Sequence, residues 1–281
     1  MEKDFTTIYN NLVHGLYNYC KDSKIMSMVL GISGGIDSTL TAVIANRVSS
    51  MFNIPLIGVS LPSGSNENSE NNAAVMVGNS FCSTFEVGNI DRLYGESLMF
   101  LGSLGYHDVT KVACGNIKAR LRMITLYHIA SLTGGIVLDT DNRTEHFTGF
   151  FTIHGDEGDI GVLRGMYKST IFEFADWMIG NEKLFTPAQR EAIRMSRALN
   201  PTDGNGVGCD LEQFGLPTYA DVDKVVSGLE GEHVGNVLEL HVKTWYKRLP
   251  RPLFINIDGN VCDSTGEQIS QYIKINDNYN V

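Results

Sequence analysis

A short apolar run that breaks into a glycine-rich turn and restarts as a helix constrains the fold of this chain more than any other feature. Residues 25–32 are apolar enough for a buried strand, and they end in Gly31-Ile32-Ser33-Gly34-Gly35-Ile36-Asp37-Ser38. Residues 39–46 then read as helix. The same alternation continues downstream. Residues 55–61, 83–87 and 135–139 read as strands, and residues 69–79 and 116–131 as helices. An amphipathic helix through Phe5, Ile8, Leu12 and Leu16 precedes them. Strands alternating with helices predict an α/β fold, a doubly wound and mostly parallel sheet with helices on both faces. Such sheets bind ligands beyond the carboxyl ends of their strands, so the loops after Ile32, Leu61, Val87 and Leu138 are the expected sites. Past residue 149 the sequence turns glycine- and acid-rich at 155–158 and 203–208, with extra helices between and after, and the 203–208 loop is expected to be mobile.

With 281 residues and 43% hydrophobic content, the chain can bury a full core, and a single domain over 1–281 is expected. No apolar run approaches the roughly 20 residues of a membrane span. The start, Met1-Glu2-Lys3-Asp4-Phe5, lacks the basic lead and apolar stretch of a secretory signal, so a cytoplasmic protein is expected. Five cysteines stand singly, without metal-ligand spacing. A net charge of -10 argues against a nucleic-acid binder, which needs a basic face.

The turn at 31–38 suits a polyphosphate. Glycines let backbone N–H groups close around an anion, Ser33 and Ser38 add hydroxyls, and the following helix adds its positive end. Asp37 would repel phosphate unless a cation lies between, and Mg²⁺ is the natural one because it takes one or two carboxylates plus phosphate oxygens. The plain alternative is a capping turn with Asp37 or Ser38 as N-cap. The turn is not a Walker loop, which would carry lysine after its last glycine.

Ser33-Gly34-Gly35-Ile36-Asp37-Ser38 resembles the pyrophosphatase loop of enzymes that split ATP between its α and β phosphates and adenylate an oxygen. Four further segments resemble the ammonia-dependent NAD synthetase family. They are Gly115-Asn116-Ile117-Lys118-Ala119-Arg120-Leu121-Arg122-Met123, then Thr140-Asp141-Asn142 running on through Glu145 to Gly149 and Thr152, then Gly155-Asp156-Glu157-Gly158-Asp159 with Tyr167-Lys168, and last Asn200-Pro201-Thr202 with Gly215 to Asp223. The carboxyl-terminal Tyr246-Lys247-Arg248-Leu249-Pro250 resembles the family's closing basic segment.

The resemblance implies an adenine nucleotide alpha hydrolase-like fold and an ATP- and Mg²⁺-dependent amidation of deamido-NAD by ammonia. It implies ATP at Gly31, Ile32, Ser33, Gly34, Gly35, Ile36, Asp37 and Ser38 together with Thr140, Lys168 and Thr202. Mg²⁺ would sit at Asp37 and Glu145. Lys168 would face the leaving pyrophosphate and Asp156 the ammonia, while Arg120, Asp159, Tyr246 and Lys247 would serve deamido-NAD. A homodimer is implied, with Tyr17, Tyr19 or Phe100 offered to the partner's dinucleotide. The length leaves no room for a glutaminase domain, so free ammonia is the expected donor. The chain departs from the family pattern at Asn142 and Tyr246, where histidines are expected, and at Ile153, where a lysine is common. Two alternatives stay open: a related ligase adenylating another acceptor, and a non-catalytic adenine-nucleotide sensor.

Overall fold

The computed structural model describes residues 3–107, 110–201, 210–228, 234–249, 251, 253–255, 260–265 and 267–268. Thr202 and the 203–208 loop lie outside the described residues. The chain opens with α1 (Phe5–Asp22) and alternates through β1 (Ser27–Gly31), α2 (Ile36–Phe52), β2 (Leu56–Ser60), α3 (Asn68–Phe81) and β3 (Thr84–Val87). Two helices follow, α4 (Asp91–Ser103) and α5 (Lys111–Thr133), before β4 (Gly135–Asp139), α6 (Arg143–Thr148) and the two-residue β5 (Ile160–Gly161). Then come α7 (Lys168–Gly180), α8 (Pro187–Arg197), α9 (Asp210–Phe214), α10 (Tyr219–Val226), α11 (Val234–Lys243) and a 3₁₀ turn (Trp245–Arg248). A small antiparallel pair, β6 (Phe254–Ile255) and β7 (Val261–Cys262), closes the described part.

Five parallel strands lie in the order β3-β2-β1-β4-β5. Successive strand residues feed opposite faces. Met28 and Leu30 of β1, with Ile136 and Leu138 of β4, join the core under α1, α2, α3, α7 and α8. Val29 and Val137 point the other way and pack with Met123, Leu126 and Ala130 of α5. Both faces are therefore covered, as the near-continuous apolar strands require. Fully buried side chains such as Leu40, Phe81 and Phe174 each contribute roughly 1.5–3 kcal/mol of burial. A third cluster around Phe214, Tyr219, Val222 and Val237 ties the carboxyl-terminal helices together. Among the described residues no helix is long and apolar enough to cross a membrane.

The strand order reverses between β1 and β4, which splays their following loops apart and opens a crevice at the carboxyl edge of the sheet. The helix α4 has no counterpart in the periodicity of the sequence. None of its residues is buried, so no inward stripe marks it.

Candidate active site

The crevice holds a cavity of ≈ 480 Å³. One wall is the turn at the end of β1. Gly34 has φ +88°, and a Cβ there would come within 2.2 Å of the Glu70 carbonyl oxygen in α3, so only glycine lets the turn pack this closely. Ser38 Oγ–H donates to the Gly35 carbonyl at 3.1 Å, while the Ser33 and Ser38 hydroxyls lie 3.0 Å apart. Gly35 is the extended N-cap of α2, and Asp37 lies in that helix's first turn. Residues 31–33 and 35–38 line the cavity.

The opposite wall comes from β4. Thr140 and Asp141 line it, and Asn142 starts α6 through a capping box: its Oδ1 accepts from Glu145 N–H, and its own N–H donates to Glu145 Oε2, both at 3.0 Å. Asn142 Nδ2 also donates to Asp37 Oδ1 at 3.0 Å. From the start of α7, Lys168 Nζ reaches Asp37 Oδ2 at 2.5 Å and Glu145 Oε1 at 3.2 Å. Lys168 is 3% exposed. Three helix starts thus bring one ammonium and two carboxylates to the positive end of α2. Two carboxylates converging on a single cation position suit Mg²⁺ shared with ATP phosphates better than an all-protein cage.

The buried Asp223 of α10 holds this assembly from behind. It accepts from Ser169 N–H at 2.8 Å and from the Thr144 hydroxyl, and Thr144 Oγ accepts from Lys168 N–H at 3.0 Å. Asp223→Ala would orphan both donors. It is expected to destabilise the protein by about 1–3 kcal/mol and to slow turnover by loosening Lys168 and Glu145. Wild-type melting and rate in that variant would contradict the role.

Acids gather deeper in the site. Burial and the neighbouring Asp139, Glu145 and Asp156 push the Asp141 pKa well above the carboxylate range, and burial raises Asp156 as well. Asp156 accepts from Thr152 N–H at 2.5 Å and lines the cavity. Arg164 spans Asp139 at 2.7 Å, Asp141 and Glu157 at 3.4 Å, and His146 Nδ1 at 3.1 Å. Burial, then the nearby Arg164, Arg248 and His241, lower the His146 pKa to about 4. Its unfolded value is 6.5. An unfolded chain therefore takes up this proton first, and the stability His146 contributes is lost as pH falls from about 6.5 towards 4. The wild type is expected to lose more stability than His146→Phe between pH 7 and pH 5 in urea titrations; equal losses would contradict this.

The substrate-side residues divide. Lys247 lines the cavity and donates to the Gly149 and Phe151 carbonyls at 2.7 and 2.5 Å. Arg120 is exposed and donates to the Ile153 carbonyl at 3.3 Å, outside the cavity lining. Asp159 also stands outside it, accepting from Val137 N–H at 2.8 Å and the Tyr127 hydroxyl at 3.0 Å. Tyr246 is 44% exposed. Arg122, which stands in the same sequence segment as Arg120 but carries no assigned role there, lines the cavity and donates to the Leu61 carbonyl at 2.9 Å. Val112, Asn116, Met123 and Leu126 line the same cavity, so helical spacing along α5 could have picked Arg122 over Arg120.

The NAD synthase family model matches residues 8–193. An NH(3)-dependent NAD(+) synthetase of Carboxydothermus hydrogenoformans is 32% identical over 241 residues, covering 84% of this chain and 92% of that protein. Among solved structures, an NMN synthetase from Francisella tularensis superposes with a TM-score of 0.77 at 25% identity, over 89% of this chain and 98% of that one. An NAD+ synthetase from Burkholderia pseudomallei gives 0.65 at 25% identity, over 88% and 91%. By sequence and by structure, the chain belongs to the NAD synthase family.

Proposed function

We propose that this chain makes NAD by amidating deamido-NAD with ammonia at the expense of ATP. The observation that carries this reading is the Lys168 ammonium gripped by Asp37 and Glu145 at the phosphate-binding end of α2. The turn at 31–38 and Thr140 hold ATP, with Thr202 assigned to the same nucleotide. Lys168 neutralises the departing pyrophosphate. Asp37 and Glu145 would hold Mg²⁺, which would supply further charge neutralisation on the triphosphate.

A nicotinate carboxylate oxygen attacks the α-phosphorus, the bond to the β-phosphate oxygen breaks, and pyrophosphate leaves. Ammonia then adds to the acyl carbon, and AMP departs with the former carboxylate oxygen. Ammonium must first lose a proton. Asp156, whose pKa burial raises, is placed on the cavity to take it, with Asp141 beside it. Arg120, Asp159, Tyr246 and Lys247 are assigned to the dinucleotide. The four described cysteines are free thiols, which supports a cytoplasmic setting.

We also propose a homodimer through α4 and α5. Leu93, Met99, Phe100, Val112 and Ile124 of these helices are each 48–70% exposed, and apolar side chains exposed in such number suit a partner surface. Tyr17 instead packs edge-on against Phe52.

A second reading has one specific support, the 0.77 superposition on an NMN synthetase. Amidation to a mononucleotide would start from the mononucleotide of nicotinate, and Ile153 removes a lysine that a pyrophosphate-bridged substrate could use. The test supplies ATP, Mg²⁺ and ammonium with either deamido-NAD or nicotinate mononucleotide and measures the amide product and pyrophosphate. Faster NAD formation supports the first reading and faster NMN formation the second. Pyrophosphate release only with an unrelated acceptor would sink both.

A further inference from the structure

We infer that Asn142 is a positioning residue that sets the spacing of the Asp37 and Glu145 carboxylates and, through it, the affinity of the site for a divalent cation on ATP. The inference rests on the metal reading given above. Asp37 and Glu145 come from the first turns of helices that follow different strands and are joined by no covalent or ladder contact of their own. Asn142 lies between them, wholly buried, and every polar group of its side chain is committed. Its Oδ1 takes the Glu145 N–H, and its Nδ2 gives a proton to Asp37 Oδ1. Its backbone N–H fixes Glu145 Oε2. One oxygen of each carboxylate is therefore spent on Asn142, and the other, Asp37 Oδ2 and Glu145 Oε1, turns toward the same ammonium of Lys168. The amide orientation is fixed by this network, because Glu145 N–H can only meet the oxygen.

Two roles are combined in one side chain, and they can be separated. Serine caps a helix start as well as asparagine does, and threonine nearly as well. Neither can reach Asp37 with an N–H. Asn142→Ser and Asn142→Thr should keep α6 while letting the Asp37 carboxylate rotate. Partners that orient a metal ligand typically change metal affinity 10- to 100-fold when removed.

The experiment measures Mn²⁺ binding to the intact protein by electron paramagnetic resonance of free Mn²⁺, with α,β-methylene-ATP present so that no chemistry follows. Thermal melting and metal-free binding of the same analogue are measured alongside. The expected result is Mn²⁺ affinity weakened about tenfold in both variants, with melting and metal-free nucleotide affinity held near wild type. A purely structural role would lower melting and nucleotide affinity and leave the metal constant unmoved. If the serine variant folds poorly, the threonine variant decides. Wild-type Mn²⁺ affinity in a folded variant overturns the role of Asn142 alone. Absence of Mn²⁺ binding in the wild type overturns the metal reading and this inference together.

Discussion

Asp37→Ala is expected to lower pyrophosphate release about 10³-fold while the protein stays folded. Its carboxylate stands in the first turn of α2, with its side chain 17% exposed and its two oxygens engaged by Lys168 and Asn142. Truncation deletes one of the two carboxylates assigned to the cation on ATP and frees Lys168 to lean on Glu145 alone. Removing a single preorganised electrostatic group from a transition state of this kind typically costs 10²–10³ in turnover, and here Lys168 loses one of its two carboxylate anchors at the same time. Stability should move little, since Lys168 keeps Glu145. The measurement is pyrophosphate release at saturating ATP with the acceptor present. A variant within tenfold of wild type would show that this carboxylate does not serve the phosphates.

Lys168→Met should damage both chemistry and fold. Wild-type Lys168 is nearly buried and neutralises two carboxylates at once. Methionine fills similar volume but leaves Asp37 and Glu145 facing each other without their cation. Breaking a buried ion pair from one side costs about 3–5 kcal/mol, and the partial exposure of the two acids places this case near the lower end. Activity should fall about 10²–10³-fold. Urea titrations at pH 7 should show the variant less stable than wild type by that free-energy cost. Equal stability of the two proteins at pH 7 would contradict the structural role of this lysine.

The sheet and its two covering layers were legible because the relevant information is local. Apolar runs at 27–31, 56–60 and 135–139 are bounded by turns, and the glycines of the β1–α2 turn carry their own conformational reason. Expected and observed helices differ mainly in length: residues 39–46 read as helix, but α2 runs from Ile36 to Phe52 because Gly35 caps it earlier. The two-residue β5 is too short to carry a pattern.

The site was legible as a set of residues but not as an arrangement. Lys168 and Asp37 are 131 positions apart, and Asn142 and Asp37 are 105 apart, so no local periodicity reports their contact. Asn142 stands out in the sequence as a departure from a histidine pattern, and its spacing to Glu145 fits a capping box, but nothing local reports its bridge to Asp37. Asp223 stands in the sequence only as the last residue of the 215–223 segment, with no role attached to it. Its part in holding Thr144 and Ser169 depends on three elements meeting, and each element looks ordinary alone. Arg164 and Asp139 likewise become meaningful only as a pair.

The central claim is that ATP activates a nicotinate carboxylate by transferring AMP to its oxygen. It is tested most directly with deamido-NAD carrying ¹⁸O at both oxygens of that carboxylate, incubated with the protein, ATP, Mg²⁺ and ammonium, followed by mass spectrometry of the nucleotide products. The account predicts one ¹⁸O in each AMP released and none in pyrophosphate. Label appearing in inorganic phosphate with ADP as the nucleotide product, or AMP formed without label, would contradict it.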